Sequence, residues 1–595
     1  MAHLLVIGGT SLDILHFKGQ TSPSAGGAGM YTAMAAKRSG VDVSLFAPRP
    51  HPMPRELQPV ADRLTTWLGP SVAPEELPHF EIAYENGKTE YIKAFFGSES
   101  VLTPDSLPDD LFTYDFIHVV PLGDAHKQLE FIHACRARGA QKISAGTYLS
   151  GVRSTPDAVR EIIAQTDIFF LNQSEAELLF GSLESAKTDA GKILFITLGA
   201  RGARVIQSEH ITDIPTVPAE ELDPTGAGDT FCGATLANLI QHKHPIMAAR
   251  HAAPLASEMI QHIGPTALLF DAPLPGVPSD PRVTVDHSQV TKISQLISNI
   301  TEASPFQFVS PELPPVHHPK ALDYFFAVTL QQFSFWSEQD GRYHQPLVAP
   351  LDGVKLKGAF YLFAAYKRQL ERDPDFCSPV RQAHLTHDEM LDVFRADDGS
   401  DPMPALDLHL QQANQYGRNM LALHTTPEAV LQKAQASSHP LRTLLAQLDV
   451  IGGYKEDPLR KKSGLLALII SQRPEQFLTL GDGEEVDPVI DYHLMRSCLR
   501  TGLIDVRDDK LKTKLSDRRL VDANEEWAVR HAAYQAIEQV VAASGKSTGA
   551  VDWFFFGARQ RCPEMAEPEC ARCPVDAVCA HRKELFQPVI RTLFY

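Results

Sequence analysis

The sequence predicts two fold classes in one chain: an α/β domain built on a mostly parallel sheet flanked by helices, then a mainly α-helical domain. Three observations carry this. Over residues 1–275, the short apolar runs HLLVIGG, VDVSLFA, DFIHVV, QKISAG, DIFFLN and KILFITLG alternate with helical patterns, which is the rhythm of parallel α/β units. The stretch 271–318 is punctuated by prolines (DAPLPGVPSDP, then SPELPPVHHP), and 276–318 reads as a linker with one short helix. From 319 to 595, stretches such as ALDYFFAVTLQQFSF, VKLKGAFYLFAAYKRQL and NEEWAVRHAAYQAIEQVVAAS read as helices.

A chain of 595 residues exceeds what one core supports. Its 44% hydrophobic and 22% charged residues suffice for full cores. The net charge of -18 opposes nucleic-acid binding, which rests on a basic surface. No apolar run has membrane-spanning length. The N-terminus, MAHLLVIGGTSLDI, enters a strand without a basic region. The expectation is a cytoplasmic protein without membrane or nucleic-acid partners, in which clustered cysteines serve as metal ligands rather than disulfides.

The stretch LDPTGAGDTFCG, residues 222–233, carries the first chemistry. Gly226, Ala227 and Gly228 form a small-residue turn before a helical pattern, and backbone N–H groups at such a helix start attract phosphate oxygens. Asp229 beside them can accept the proton of a substrate hydroxyl attacking a γ-phosphate. DPTGAGDTF resembles the second signature of the PfkB (ribokinase-like) carbohydrate and nucleoside kinases. The resemblance implies ATP and Mg2+, Asp229 as catalytic base and Gly226 to Gly228 as anion hole. AGGAGMYTAMAAKRSG (25–40) resembles the family's first signature, so Gly26 and Gly27 would line the substrate pocket. Asp13 in GGTSLDI matches the acid that holds sugar hydroxyls. LNQSEAE (171–177) is similar to the N-x-x-E element, with Asn172 and Glu175 near magnesium and phosphate. ITLGARGA (196–203) resembles the T-x-G-x-x-G segment near the nucleotide, giving Thr197, Gly199 and Gly202. Tyr31 stands where ribokinase carries an Asn; its ring either walls the pocket or stacks on a base. A homodimer through the kinase domain is implied by the same analogy.

VDPVIDYHLMRSCLRTGL, residues 486–503, carries the second chemistry. Ile490, Leu494, Cys498 and Leu499 fall on one helical face, with Asp491 at the helix start, where the dipole favours the ionised form. A carboxylate there caps the helix or, in a pocket, stabilises an oxocarbenium-like sugar as a glycosidic bond breaks. D-Y-H-L-M-R resembles the D-T-H-x-x-R segment of helix-hairpin-helix DNA glycosylases, with Asp491 on their catalytic Asp. Residues 319–595 resemble the queuosine salvage family, the queuosine 5'-phosphate N-glycosidases, in QQFSFWSEQDGRY (331–343), VFRADDGSDPMPALDLHLQQANQYGRNML (393–421), PLRKKSGLLAL (458–468) and the terminal IRTLFY. This implies Asp491 as catalytic carboxylate, Asp397 as a pocket acid recognising the base, Phe335 and Trp336 as aromatic walls, and Lys461 as a phosphate contact. In a run R-K-K, Lys461 equally suits a solvated face.

RCPEMAEPECARCPVDAVCA, residues 561–580, spaces Cys562, Cys570, Cys573 and Cys579 as C-x7-C-x2-C-x5-C. Four thiolates at short spacing suit a [4Fe–4S] cluster or a structural Zn2+. Zinc sites usually pair two C-x2-C units and here there is one, so iron–sulfur is the leading reading. It also resembles the iron–sulfur loop of the DNA glycosylases, one residue longer in the first gap. Cys135, Cys232, Cys377 and Cys498 read as core residues.

A kinase joined to an N-glycosidase suggests a salvage enzyme. The first domain would phosphorylate the 5'-hydroxyl of queuosine or a related 7-deazaguanine nucleoside. The second would release the base from the 5'-monophosphate. The substrates would be a small-molecule nucleoside and nucleotide. The rivals are a sugar kinase fused to a DNA glycosylase, and a kinase with a non-catalytic nucleoside-sensing domain.

Overall fold

The computed structural model describes residues 3–17, 19–85, 88–301 and 303–595. The chain divides into two compact units, Met1–Pro278 and Ser279–Tyr595.

The first unit is the α/β domain. Among the described residues its main sheet has nine strands, in the order His210–Ile214, Ala203–Gln207, Ile193–Thr197, Ile168–Asn172, Ile143–Gly146, Phe116–Val119, His3–Ile7, Asp42–Phe46 and Thr66–Leu68. Ile193–Thr197 through Thr66–Leu68 run parallel. Ala203–Gln207 and His210–Ile214 add antiparallel at the edge. The central strands are buried end to end, as Leu4 to Ile7 show; this is why they read as unbroken apolar runs. A second sheet orders Gln20–Gly26, Ser11–Phe17, His79–Glu85 and Lys88–Phe95. Its strands mix polar and apolar residues, so sequence periodicity hid them.

The helix Ala227–Ile240 packs against the helices Ala28–Arg38 and Pro245–Met259. Gly233 permits the first contact: a Cβ there would fall 2.1 Å from the Thr32 carbonyl oxygen.

The second unit is predominantly helical around one apolar core. Its boundary differs from the sequence reading, because the proline-rich stretch is built into the unit. Val283–Val285 pairs antiparallel with Ile504–Val506. The helix His287–Ser298 packs on Ala523–Ser544, burying Val290, Ile293 and Ile297. Prolines mark the connections here while apolar residues between them join the core. The segment VKLK, read as part of a helix, is the strand Val354–Lys357 before the helix Ala359–Arg372. No helix among the described residues is long and apolar enough to cross a membrane.

Candidate active sites

In the first unit, strand ends and the N-terminus of Ala227–Ile240 surround a cavity of about 710 Å3. It gathers Asp13, Gly27, Tyr31, Asn172, Glu175, Thr197, Gly226, Gly228 and Asp229. Gly226 is left-handed, φ 78°, and caps the helix. A Cβ there would meet the Tyr31 ring at 2.6 Å, so ring and turn are fitted to each other. The Ala227 N–H donates to the Pro224 carbonyl at 3.1 Å, so Ala227 lies off the cavity and Gly228 presents the exposed helix start. Asp229 is half-buried in the first helical turn, and burial pushes its carboxyl up to about 7.

Asn172 and Glu175 form a reciprocal cap. The Asn172 N–H donates to Glu175 Oε2 at 2.8 Å, and the Glu175 N–H donates to Asn172 Oδ1 at 3.0 Å. Burial first, then the Asp229 charge, pushes Glu175 up to about 7. Asp13 is buried and raised to about 6 by desolvation; it accepts the Phe80 N–H at 3.1 Å. Three glycines expected at the ligand do structural work instead. A Cβ on Gly26 would fall 1.8 Å from Asp13 Oδ2, and one on Gly202 would fall 2.0 Å from the Ile214 carbonyl oxygen. Gly199 opens a short helical turn and does not line the cavity.

Two residues in this cavity were missed. His118 is buried against Ser144 Oγ at 3.0 Å, and burial holds its imidazole down at about 3. It stood inside an apolar strand run with nothing to single it out. Glu99 accepts the Gly9 N–H at 2.7 Å, and burial raises its carboxyl from 4.5 to about 7. A carboxyl raised on folding contributes stability that is full below its ordinary range and lost as pH rises to about 7. Glu99→Gln should therefore raise the melting temperature at pH 8 and leave it nearly unchanged at pH 4, read by thermal melts at both pH values.

In the second unit a separate cavity of about 330 Å3 contains Asp491, Lys461, Phe335 and Asp552. Asp491 is the N-cap of Tyr492–Thr501; its Oδ1 accepts the His493 N–H at 2.8 Å and the Leu494 N–H at 2.9 Å. Burial nonetheless raises its pKa, against the pull of Lys461 and those two donors. Lys461 is 5% exposed, so its basic run is not a solvated face. Its Nζ donates to the Gln332 carbonyl at 2.9 Å, and burial lowers it to about 8. Phe306, Phe360, Trp553 and Phe556 supply aromatic walls. Phe306 stacks on Trp553 with ring centroids 4.0 Å apart. It comes from the stretch read as a linker. Arg559 lines the same cavity, its guanidinium 3.6 Å from the Phe556 ring centre.

Two expectations are corrected here. Asp397 is exposed and off the cavity; it accepts the Asp352 and Gly353 N–H groups at 3.0 and 2.9 Å and so holds a turn. Trp336 is buried but also off the cavity, stacked on Tyr343 at 5.4 Å and edge-on to Phe586.

The four C-terminal cysteines are half-buried in one loop region, while Cys135, Cys232, Cys377 and Cys498 are buried. Arg500 Nη1 donates to Cys562 Sγ at 3.2 Å, and the His581 N–H donates to Cys579 Sγ at 3.4 Å. These are donors a thiolate accepts. Burial raises the Cys573 and Cys579 thiols, and a cation bound there would reverse that by ionising them. Among the described residues, the ligand atoms of Cys570, Asp576 and His581 lie within 4.8 Å of one another, whereas no three of the four cysteines form so tight a group. Sequence spacing did not single out Asp576 and His581.

Comparison with known proteins resolves the architecture. Residues 88–271 match the model of the pfkB family carbohydrate kinases, and residues 313–561 match that of queuosine salvage proteins. The chain joins a region of the pfkB carbohydrate kinase family to a queuosine salvage region. The kinase region is 26% identical over 247 residues to a cytidine kinase of Thermococcus kodakarensis, covering 40% of this chain and 88% of that protein. It is 34% identical over 108 residues to ribokinase of Mus musculus, covering 16% of this chain and 33% of the relative. The solved nucleoside kinase of Burkholderia thailandensis, in complex with inosine, is 19% identical with a TM-score of 0.38, covering 46% of this chain and 94% of that one.

Proposed function

We propose that the kinase region phosphorylates the 5'-hydroxyl of queuosine or a related 7-deazaguanine nucleoside, and that the salvage region then hydrolyses the N-glycosidic bond of the 5'-monophosphate. The observation that carries this reading is the aromatic-walled cavity around Asp491 and Lys461. Flat aromatic walls suit a heterocyclic base. A carboxylate held by two backbone N–H groups suits the cationic sugar that forms as the bond breaks. Arg559 is a cation at the same cavity and suits a phosphate handle, whose binding energy positions the scissile bond over Asp491.

In the kinase region, Asp229 takes the hydroxyl proton and the Gly228 helix start receives the developing phosphate charge. Asn172 and Glu175 would hold Mg2+ through its ligand shell, and MgATP supplies the phosphoryl group. Asp13 would hold the sugar hydroxyls, and the Tyr31 ring would form a wall of the nucleoside pocket. The deciding experiment incubates anaerobically purified protein with queuosine and MgATP and follows ADP and free base by chromatography and mass spectrometry. ATP-dependent base release supports the sequence of steps. Base release from queuosine without ATP, or none from its 5'-monophosphate, overturns it.

Cys562, Cys570, Cys573 and Cys579 would hold a [4Fe–4S] cluster that ties down the terminal loop. Anaerobic protein should then carry iron and acid-labile sulfide at about four each per chain. Zinc without sulfide would favour the structural Zn2+ reading instead.

A further inference from the structure

We propose that Asp552 is the general acid of the salvage site, delivering a proton to the departing base while Asp491 remains the ionised partner that faces the sugar. The inference rests on the glycosidase reading above and assigns its second carboxyl group.

Asp552 lies on the helix Thr548–Gly557, remote in sequence from Asp491, yet both line the same cavity. Two carboxyl groups and Lys461 thus meet in one small, largely aromatic space. The two acids are held differently. Asp491 receives two backbone N–H donors at a helix N-terminus, which favour its anion. No hydrogen bond to a described residue holds the Asp552 carboxyl, and the flanking Trp553 and Phe556 are apolar. Two like charges in a poorly solvated space cannot both ionise freely, so the proton stays on the less supported member. The pKa directions agree: Asp552 is raised well above the ordinary carboxylate range by burial and by the Asp491 charge.

The step balances. The bond between C1' and the base nitrogen breaks, and its electron pair leaves with the base. The Asp552 proton goes to the base. Water adds to C1', and the proton it sheds restores the single proton of the carboxyl pair. The net reaction is nucleotide plus water to base plus ribose 5-phosphate. A base that lacks N7 cannot be activated at that position, so a proton placed elsewhere on the ring has a large effect on its departure.

The test uses leaving groups of different need. Full-length wild type, Asp552→Asn, Asp552→Glu and Asp491→Asn are assayed on queuosine 5'-monophosphate and on 4-nitrophenyl β-ribofuranoside 5-phosphate, whose phenolate leaves without protonation. Asp552→Asn should lose about 100-fold or more on the nucleotide, and much less on the nitrophenyl compound. Asp552→Glu should recover part of the nucleotide activity, and Asp491→Asn should lose both substrates. Equal loss of Asp552→Asn on the two substrates, or no loss on either, overturns the assignment. A wild type that releases neither base nor nitrophenolate sinks the glycosidase reading itself, which separates the two failures. Asp552→Ser serves as the second variant if Asp552→Asn does not fold, with circular dichroism as the check.

Discussion

Asp229→Asn should lower the kinase turnover about 100- to 10,000-fold, the usual range for removing a general base, with a much smaller change in KM for the nucleoside. Asp229 lies in the first turn of Ala227–Ile240, next to Gly228 and in one cavity with Asn172, Glu175 and Thr197. A hydroxyl placed in this cavity could meet both a proton acceptor and the helix start that receives phosphate charge. The pH dependence follows from burial. With its carboxyl raised to about 7, Asp229 must lose its proton to act, so kcat/KM should fall as pH drops below about 7 and level off above it. Glu175, raised to about 7 and coupled to Asp229 by charge, titrates in the same window, so the observed transition belongs to the pair. ADP release measured from pH 5.5 to 8.5 checks this; a flat profile across pH 7, or an Asp229→Asn enzyme with near-wild-type turnover, would refute the base assignment.

How much of this was legible in sequence depended on how local each signal was. DPTGAGDTF is contiguous, so turn, helix start and acid arrive together, and the structure keeps them together. Asp491 was readable because helix cap and neighbours are adjacent in the chain. What escaped was assembled over distance. Asp552 sits in VDWFFFG, a run that reads as a buried helix. Glu99 follows a strand of the second sheet and meets Gly9 across ninety residues of chain. Phe306 lies among prolines, which mark connections but say nothing of the aromatic packed between them. Asp397 failed the other way: an acid followed by D-G-S is as well suited to a turn as to a pocket, and here two backbone N–H groups claim it. Lys461 misled by its neighbours. A basic run normally faces solvent, but Arg460 pairs with buried Asp449 and Lys462 donates to the Leu330 carbonyl, so all three are drawn inward.

Asp491→Asn should abolish base release, by about 1,000-fold or more, while leaving phosphorylation by the kinase region intact. The substitution keeps the shape of the cap: an Asn side chain still accepts the His493 and Leu494 N–H groups, so the helix Tyr492–Thr501 should form and the loss should be chemical. What disappears is the negative charge. On the glycosidase reading, the charge would face an oxocarbenium-like sugar in a cavity with aromatic walls, so its stabilising effect on the transition state should exceed what a surface carboxylate provides. Lys461 sharpens the expectation. With Asp491 neutral, its buried ammonium loses the largest charge effect that supports it and should release its proton more readily, so Asp491→Asn alters the site by more than one charge. The double variant Asp491→Asn, Lys461→Met separates the two effects. If the lost rate reflects only an unpaired lysine, the double variant should regain activity; if Asp491 itself stabilises the sugar cation, the double variant should stay as inactive as the single one. Base release measured from supplied 5'-monophosphate, with ADP formation from the nucleoside followed in parallel, reads both regions in one preparation. An Asp491→Asn protein that still frees the base at the wild-type rate would leave the carboxylate with only a capping role.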